Sequence, residues 1–241
     1  MIQGFSTGSL AKGDFKSALN FLAAYPTVTA IELSALRESE LPLLIDAIPF
    51  LSLKRYKFIS LHAPSKLINY KESEIIELLL PVTRLHIPII VHPDIISNFK
   101  IWRQLGNFLC IENMDKRKAI GRTAKDLERI FKELPEARFC LDLAHAKQVD
   151  PSMIECVKML RQFKDRLLQF HISDVTSDSK HTSINVEAIL AFRKISSLIP
   201  ENIPFIIESP VPEWYIGREL MYMSSIFHKS DTYPRQHLSF I

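Results

Sequence analysis

Glycine is scarce in this chain. Its 241 residues include six, none spaced as GxGxxG, and a doubly wound open sheet would normally carry such a glycine-rich first turn for a dinucleotide. Cysteine is scarce as well. Cys110, Cys140 and Cys156 form no CxxC pair and no disulfide framework; two fall inside predicted strands, which suits buried small hydrophobes in a reducing compartment. No run approaches the roughly 20 apolar residues of a membrane span, and residues 1–15 lack the apolar core of a signal peptide. A cytoplasmic protein with no membrane partner is therefore expected. The formal charge of +3 is too small to imply nucleic acid by bulk electrostatics.

What the sequence does contain is repetition. Hydrophobic residues make up 47% and charged residues 24%, enough to build a sizeable core. Short, mostly apolar runs recur at 2–5, 29–33, 57–62, 88–92, 108–113, 139–146, 167–171 and 203–210. Apolar residues without alternation suit strands covered on both faces, as in parallel sheets.

Helical stretches fall between these runs. One runs from Asp14, a capping residue, to about Ala24, and another passes through Leu43, Leu44 and Ile48. A third starts near Glu72, and Pro81 is expected to kink or divide it before His86. Asp94 is expected to cap a helix with Ile95, Phe99, Trp102 and Leu105 on one face. Thr123 with Asp126 resembles a capping box ahead of the stripe Leu127, Ile130, Phe131 and Leu134. Asp150-Pro151 is expected to open a helix reaching about Phe163. Two more run from about Asn185 to Leu198 and from about Pro212 to Phe227. About eight strand-then-helix units, with no linker between halves, predict a single (β/α)8 TIM-barrel domain over 1–241, with a short polar tail from about 229.

Nearly every predicted strand ends in an ionisable residue: Glu32, His62, His92, Glu112, Asp142 with His145 three residues on, His171 and Glu208. Barrel closure would bring these ends to one mouth. So many ionisable side chains in one cavity ask for a cation. Imidazoles with carboxylates, and no thiolate cluster, suit a catalytic divalent ion, with zinc or manganese ahead of magnesium or cobalt. A lone strand-end histidine is more often a hydrogen-bonded rim residue than a ligand; recurrence at the same point of successive units is what argues for a site. Glu32 could equally bind substrate or pair with a lysine. His86, His228 and His237 read as surface residues. The polar stretch 173–183 is the longest loop after a strand, and long loops often carry function.

Taken in order, LHAP at His62, VHPD at His92, IEN at Glu112, CLDLAHA at Asp142 and His145, FHISD at His171 and IIESP at Glu208 resemble the xylose isomerase-like TIM-barrel superfamily. That superfamily includes sugar isomerases and epimerases and the family 2 apurinic-site endonucleases. In epimerase-type members the resemblance implies one metal held by Glu112, Asp142, His171 and Glu208. Glu112 and Glu208 would then move the proton, while His145, Glu32 and Lys180 face the substrate. In endonuclease-type members it implies three zinc ions, with His62 and His92 added for one, His145 and His181 for another, and Glu112 bridging. Ser179 stands where that pattern has an aspartate, and Asp178 is out of register.

The first expectation is thus a divalent-metal-dependent isomerase or epimerase acting on a small sugar or sugar phosphate. The alternative is a multinuclear zinc phosphoesterase, the only reading that brings in nucleic acid. A third is a non-catalytic barrel that keeps the metal site as a binding pocket. Lys66, Tyr70 and Lys71, and residues 116–122, are basic stretches suited to solvent or to a substrate phosphate. Trp214 and Tyr215 are candidates for an interface, and a homo-oligomer is left open.

Overall fold

Eight short strands pair in parallel and close on themselves in the computed structural model, which describes residues 1–227. The barrel strands are β1 (Gln3–Ser6), β2 (Ala30–Ser34), β3 (Phe58–His62), β4 (Ile89–Val91), β5 (Leu109–Glu112), β6 (Arg138–Asp142) and β7 (Leu167–Ile172). A two-stranded ribbon, β8 (Asp174–Val175) with β9 (His181–Thr182), precedes the last barrel strand, β10 (Phe205–Ile207). β10 pairs with both β7 and β1, which closes the ring. The helices are α1 (Thr7–Leu10), α2 (Phe15–Ala23), α3 (Leu41–Ala47), α4 (Glu72–Thr83), α5 (Phe99–Trp102), α6 (Ala124–Glu133), α7 (Leu143–Val149), α8 (Ile154–Phe163), α9 (Val186–Arg193) and α10 (Ile216–Phe227). The predicted barrel is thus the observed one. The polar tail from about 229, with His237, and His228 lie outside the described residues. Among the described residues no helix is long and apolar enough to cross a membrane.

Strand period decides which residues reach the mouth. Phe139, Leu141, Phe170 and Ile207 point outward and are sealed by the helices, each such side chain stabilising the fold by about 1.5–3 kcal/mol. The alternate residues point inward. Low in the barrel Ile90, Cys110 and Cys140 form a small apolar layer with Leu168 against it, and two residues further along β5 and β6 come Glu112 and Asp142. Burial pushes the Cys110 and Cys140 thiols well up, so they behave as packing groups, as the sequence suggested. Gly4 is required by a close approach: a Cβ there would lie 1.8 Å from the Ala30 carbonyl oxygen on β2.

Several helix boundaries differ from expectation. The run 139–146 does not stay extended: β6 stops at Asp142, whose side chain accepts the His145 N–H at 2.7 Å and caps α7. The helix α8 starts at Ile154, so Pro151 lies in the turn before it, with Met153 in a left-handed conformation at φ 67°. Asp94 sits in a 3-10 turn, and the four-residue α5 is capped by Asn98. Pro81 does not divide α4; it occupies the last turn of a helix that ends at Thr83. Asp14 and the Thr123–Asp126 capping box do cap as expected, and Asn185 caps α9, which ends at Arg193 and not near Leu198. The 173–183 loop carries the β8–β9 ribbon.

Candidate metal centre

Glu112 is the hub of the mouth. Its side chain is 1% exposed at the end of β5. Oε2 lies 3.2 Å from His62 Nε2 and 3.1 Å from His92 Nε2, while Oε1 lies 3.1 Å from His171 Nδ1 and 3.5 Å from His145 Nδ1. One carboxylate thus faces four imidazoles from four elements. Register delivers them: Asp142 lies opposite His171 across β6 and β7, and His62 closes β3.

Three groups of ligand atoms, each within 4.8 Å of one another, occupy the mouth: His62, His92 and Glu112; Glu112, Asp142, His171 and Glu208; and Asp142, His145 and His181. They form one chain of donors, because Glu112 and Asp142 each belong to two groups. All eight metal-ligand candidates read from the sequence are in it, including His181 from the ribbon.

The hydrogen bonds of the rings leave usable nitrogens. His62 Nδ1 lies 2.7 Å from the Ala63 carbonyl oxygen and His145 Nδ1 3.0 Å from that of Asn113. With Nδ1 of each ring turned to a backbone carbonyl, Nε2 is the nitrogen each could offer to a metal on losing its proton, the arrangement that orients a metal-binding histidine. Asp142 Oδ2 and His92 Nδ1 are buried with no hydrogen-bond partner. A buried carboxylate oxygen without a donor is costly, and a cation would satisfy it. The donor set fits divalent metal on this ground.

Electrostatics agree. Burial pushes the Glu208 carboxyl up to about 8; Glu112, Asp142 and Glu32 add to the rise while His171 opposes it. Burial also acts against a charged His62, yet its hydrogen bond to Glu112 and the nearby carboxylates hold it at about 9. The same burial is overcome at Glu112, which His171 and His92 keep well below the usual carboxylate range. Burial carries His181 down to about 4, helped by the neighbouring His145 and His171, and lowers His92 too. Two neutral imidazoles are therefore ready as ligands, and protons stand where a metal charge would otherwise act.

Glu32, read from sequence as binding substrate or pairing with a lysine, is fully buried, and its Oε2 accepts from His171 Nε2 at 2.9 Å, Gln169 Nε2 at 2.7 Å and Ser60 Oγ at 3.2 Å. It thus backs the ring of His171, one of the candidate ligands. Lys180 is exposed on the ribbon and lines a cavity of about 360 Å3 with Lys12, His181 and Glu208. A second cavity, of about 370 Å3, lies on the other flank, where Lys66, Arg117 and Lys118 meet His92, His145 and His181.

No protein-family model matches the sequence, and no curated protein matches it. Solved structures do match in fold. Endonuclease IV from Thermus thermophilus superposes with a TM-score of 0.59 at 18% identity, over 93% of this chain and 99% of that one. A putative sugar phosphate isomerase/epimerase from Anabaena variabilis gives 0.53 at 14%, over 98% and 92%. A xylose isomerase-like TIM-barrel protein from Mycobacterium smegmatis, in complex with magnesium, gives 0.52 at 14%, over 91% and 92%. What the chain shares with them is the (β/α)8 barrel fold.

Sequence reasoning did not find most of the residues that hold the mouth in shape. Asn113, next to the hub, accepts the Asp142 N–H at 2.7 Å and donates to the Asp142 carbonyl at 2.9 Å, tying β5 to β6 at the ligands. Ser179, at the position of doubt, has φ 57° and donates to Gln148 at 2.7 Å. Buried Asp115 beside it is gripped by Arg117 through two hydrogen bonds of 2.9 Å. Glu38 accepts the backbone N–H groups of Ile68, Asn69 and Tyr70, fixing the loop that carries Lys66. Ser179 was singled out by the resemblance; for Asn113, Asp115 and Glu38 the only signal is an acid or amide, without periodicity.

Proposed function

We propose that this chain is a metal-dependent phosphoesterase that takes more than one divalent ion and acts on a phosphodiester. The observation that carries this reading is the third ligand group: His145 and His181 stand with Asp142 apart from the four-residue group of Glu112, Asp142, His171 and Glu208. A single-ion isomerase has use for the four-residue group alone. It would give His145 a place facing the substrate but leave His62, His92 and His181 without a role.

Bound divalent ions would supply a water that attacks near neutral pH and positive charge against the phosphorus oxygens. The chain's own residues do the positioning. Glu112 and Asp142, each shared between two groups, fix the spacing of neighbouring ligand sets, and Glu32 and Asn113 hold His171 and Asp142 against displacement. Lys66, Arg117 and Lys118 on one flank and Lys12 and Lys180 on the other suit an anion lying across the mouth. Arg117 is paired with Asp115 and Lys118 with Asp94. The likeness in fold to endonuclease IV supports the reading, and DNA with an abasic site is the first substrate to try.

A metal-dependent isomerase or epimerase of small sugars or sugar phosphates is the second reading. Glu112 Oε1 and Glu208 Oε2 lie 3.1 and 3.3 Å from the same His171 nitrogen, so two carboxyl groups border one site and could remove and return a proton.

Metal analysis of protein purified without chelator separates the two. Two or three equivalents, with cleavage of an abasic duplex or of bis-p-nitrophenyl phosphate that chelator abolishes, is the expected result. One equivalent, with solvent-proton exchange into a ketose that Glu208→Gln removes and no phosphodiester cleavage, would overturn the phosphoesterase. Protein that takes up no metal above pH 6.5, the ordinary histidine pKa, would overturn both.

A further inference from the structure

The barrel has a second end. Opposite the metal centre, among the N-terminal ends of β3 to β7, a cavity of about 430 Å3 opens to solvent, within the roughly 300–1,000 Å3 range of small-molecule sites. Its walls include Tyr56, Phe58, Phe108 and His86, with the His86 and Phe108 rings 5.9 Å apart. Its cations are Lys57 and Arg138, and no aspartate or glutamate lines it.

Arg138 is the residue that needs explaining. It opens β6 in phase with Cys140 and Asp142, so its stem enters the barrel from below. Its Nε is buried with no hydrogen-bond partner, and among the described residues no carboxylate pairs with its guanidinium. A buried Nε–H without an acceptor costs stability, while the rest of the half-buried guanidinium is left facing the open cavity. An apolar side chain would close that layer, next to Ile90, Cys110, Cys140 and Leu168, more favourably. The guanidinium offers a planar fork of donors matched to a carboxylate or phosphate.

We propose that the floor of the barrel binds a small organic anion, with its phosphate or carboxylate group on Arg138 and Lys57 and a flat apolar body against Phe58 and Phe108. The site is separate from the metal centre and independent of the reaction assigned there.

The test is a calorimetric titration of the metal-loaded full chain with two probes, adenosine 5′-monophosphate for the phosphate source and 1-naphthoate for the carboxylate source. The expected result is saturable binding of at least one probe, one per chain, weakened at least about tenfold in Arg138→Met and several-fold in Lys57→Ala. The tighter probe identifies the anion. Binding should survive removal of the metals by chelator, which distinguishes it from any anion held at the mouth. The melting temperature should hold or rise in Arg138→Met, since no contact is lost. No saturable binding of either probe up to about 10 mM, or binding unchanged in Arg138→Met, overturns the proposal. So does a lower melting temperature in Arg138→Met with no effect of Lys57→Ala on binding, because the arginine would then be structural.

Discussion

Glu32 Oε2 accepts from His171 Nε2 at 2.9 Å, and neither side chain is exposed to solvent. The opposite ring nitrogen, Nδ1, is the one that faces Glu112 and Glu208. A carboxylate behind an imidazole fixes its tautomer and raises its basicity as a ligand, and losing such a partner typically weakens metal binding about 10–100-fold. Glu32→Gln keeps the shape but removes the charge. The expected outcome is a drop in metal affinity of that size, read by competition with a chromogenic chelator, with secondary structure unchanged. Unaltered affinity would mean that Glu32 does not act through His171.

Proton linkage gives the metal-free protein a defined pH profile. The folded-state value of Glu208, about 8, lies above its ordinary 4.5. Between those pH values the folded chain holds a proton that the unfolded chain has released, and stability falls as pH rises through the window. The stabilisation from His62, with a folded value of about 9 against 6.5, is fully present below 6.5 and lost as pH climbs to 9. His181, lowered to about 4, works the other way and costs stability as pH drops from 6.5. The chelated protein should therefore melt highest at mildly acidic pH and progressively lower toward pH 9. Metal competes with the Glu208 and His62 protons, so the gain in melting temperature on adding zinc should grow with pH. Calorimetry from pH 5 to 9 checks both slopes; a flat metal-free profile above pH 6 contradicts them.

A fully buried carboxylate away from the centre ties the ribbon to the end of β10. Glu219 on α10 accepts from Ser183 Oγ at 2.6 Å, from Ile184 N–H at 2.7 Å and from Ser209 Oγ. Glu219→Ala strands these donors, two of them buried, and unsatisfied buried groups cost about 1–3 kcal/mol each. A loss of about 3 kcal/mol is expected, or about 6–12 °C in melting temperature for a chain of this size. His181 lies two residues before Ser183, so the variant should also weaken the ligand group that contains it. Thermal melting in metal-free and zinc-loaded protein reads both effects.

The ligand set was legible before the fold because strand ends announce themselves: an apolar run followed by an acid or imidazole, repeated around a barrel, rarely arises without a site at the mouth. His181 was reached through the resemblance alone, its ribbon being too short to show a pattern. Helix α7 was hidden, since Leu143-Ala144 continues the apolar run of β6 and only the cap geometry of Asp142 ends the strand. Glu32 was found without its contact to His171, for a strand-end position does not show which neighbouring side chain a carboxylate will meet. Arg138 carried no signal at all. A basic residue ahead of an apolar run reads as a strand's solvated start, and only barrel closure turns it into the floor.

The sharing of Asp142 between two ligand groups makes a prediction about numbers of ions. His181 belongs only to the group with Asp142 and His145, and His92 only to the group with His62 and Glu112. His181→Ala and His92→Ala should therefore each remove about one equivalent of metal and leave the rest bound. Asp142 is a ligand in two groups, and its Oδ1 also accepts the His145 N–H that starts α7. Asp142→Asn keeps the side chain's shape and the cap's oxygen acceptor while removing the negative charge, so it should empty two ligand sets at once. The pattern is non-additive: one residue costs what two others cost together. Elemental analysis of the three variants, each dialysed against the same zinc buffer, reads it directly. Loss of a single equivalent in Asp142→Asn, or of all bound metal in His181→Ala, would show that the groups do not load as the shared geometry requires.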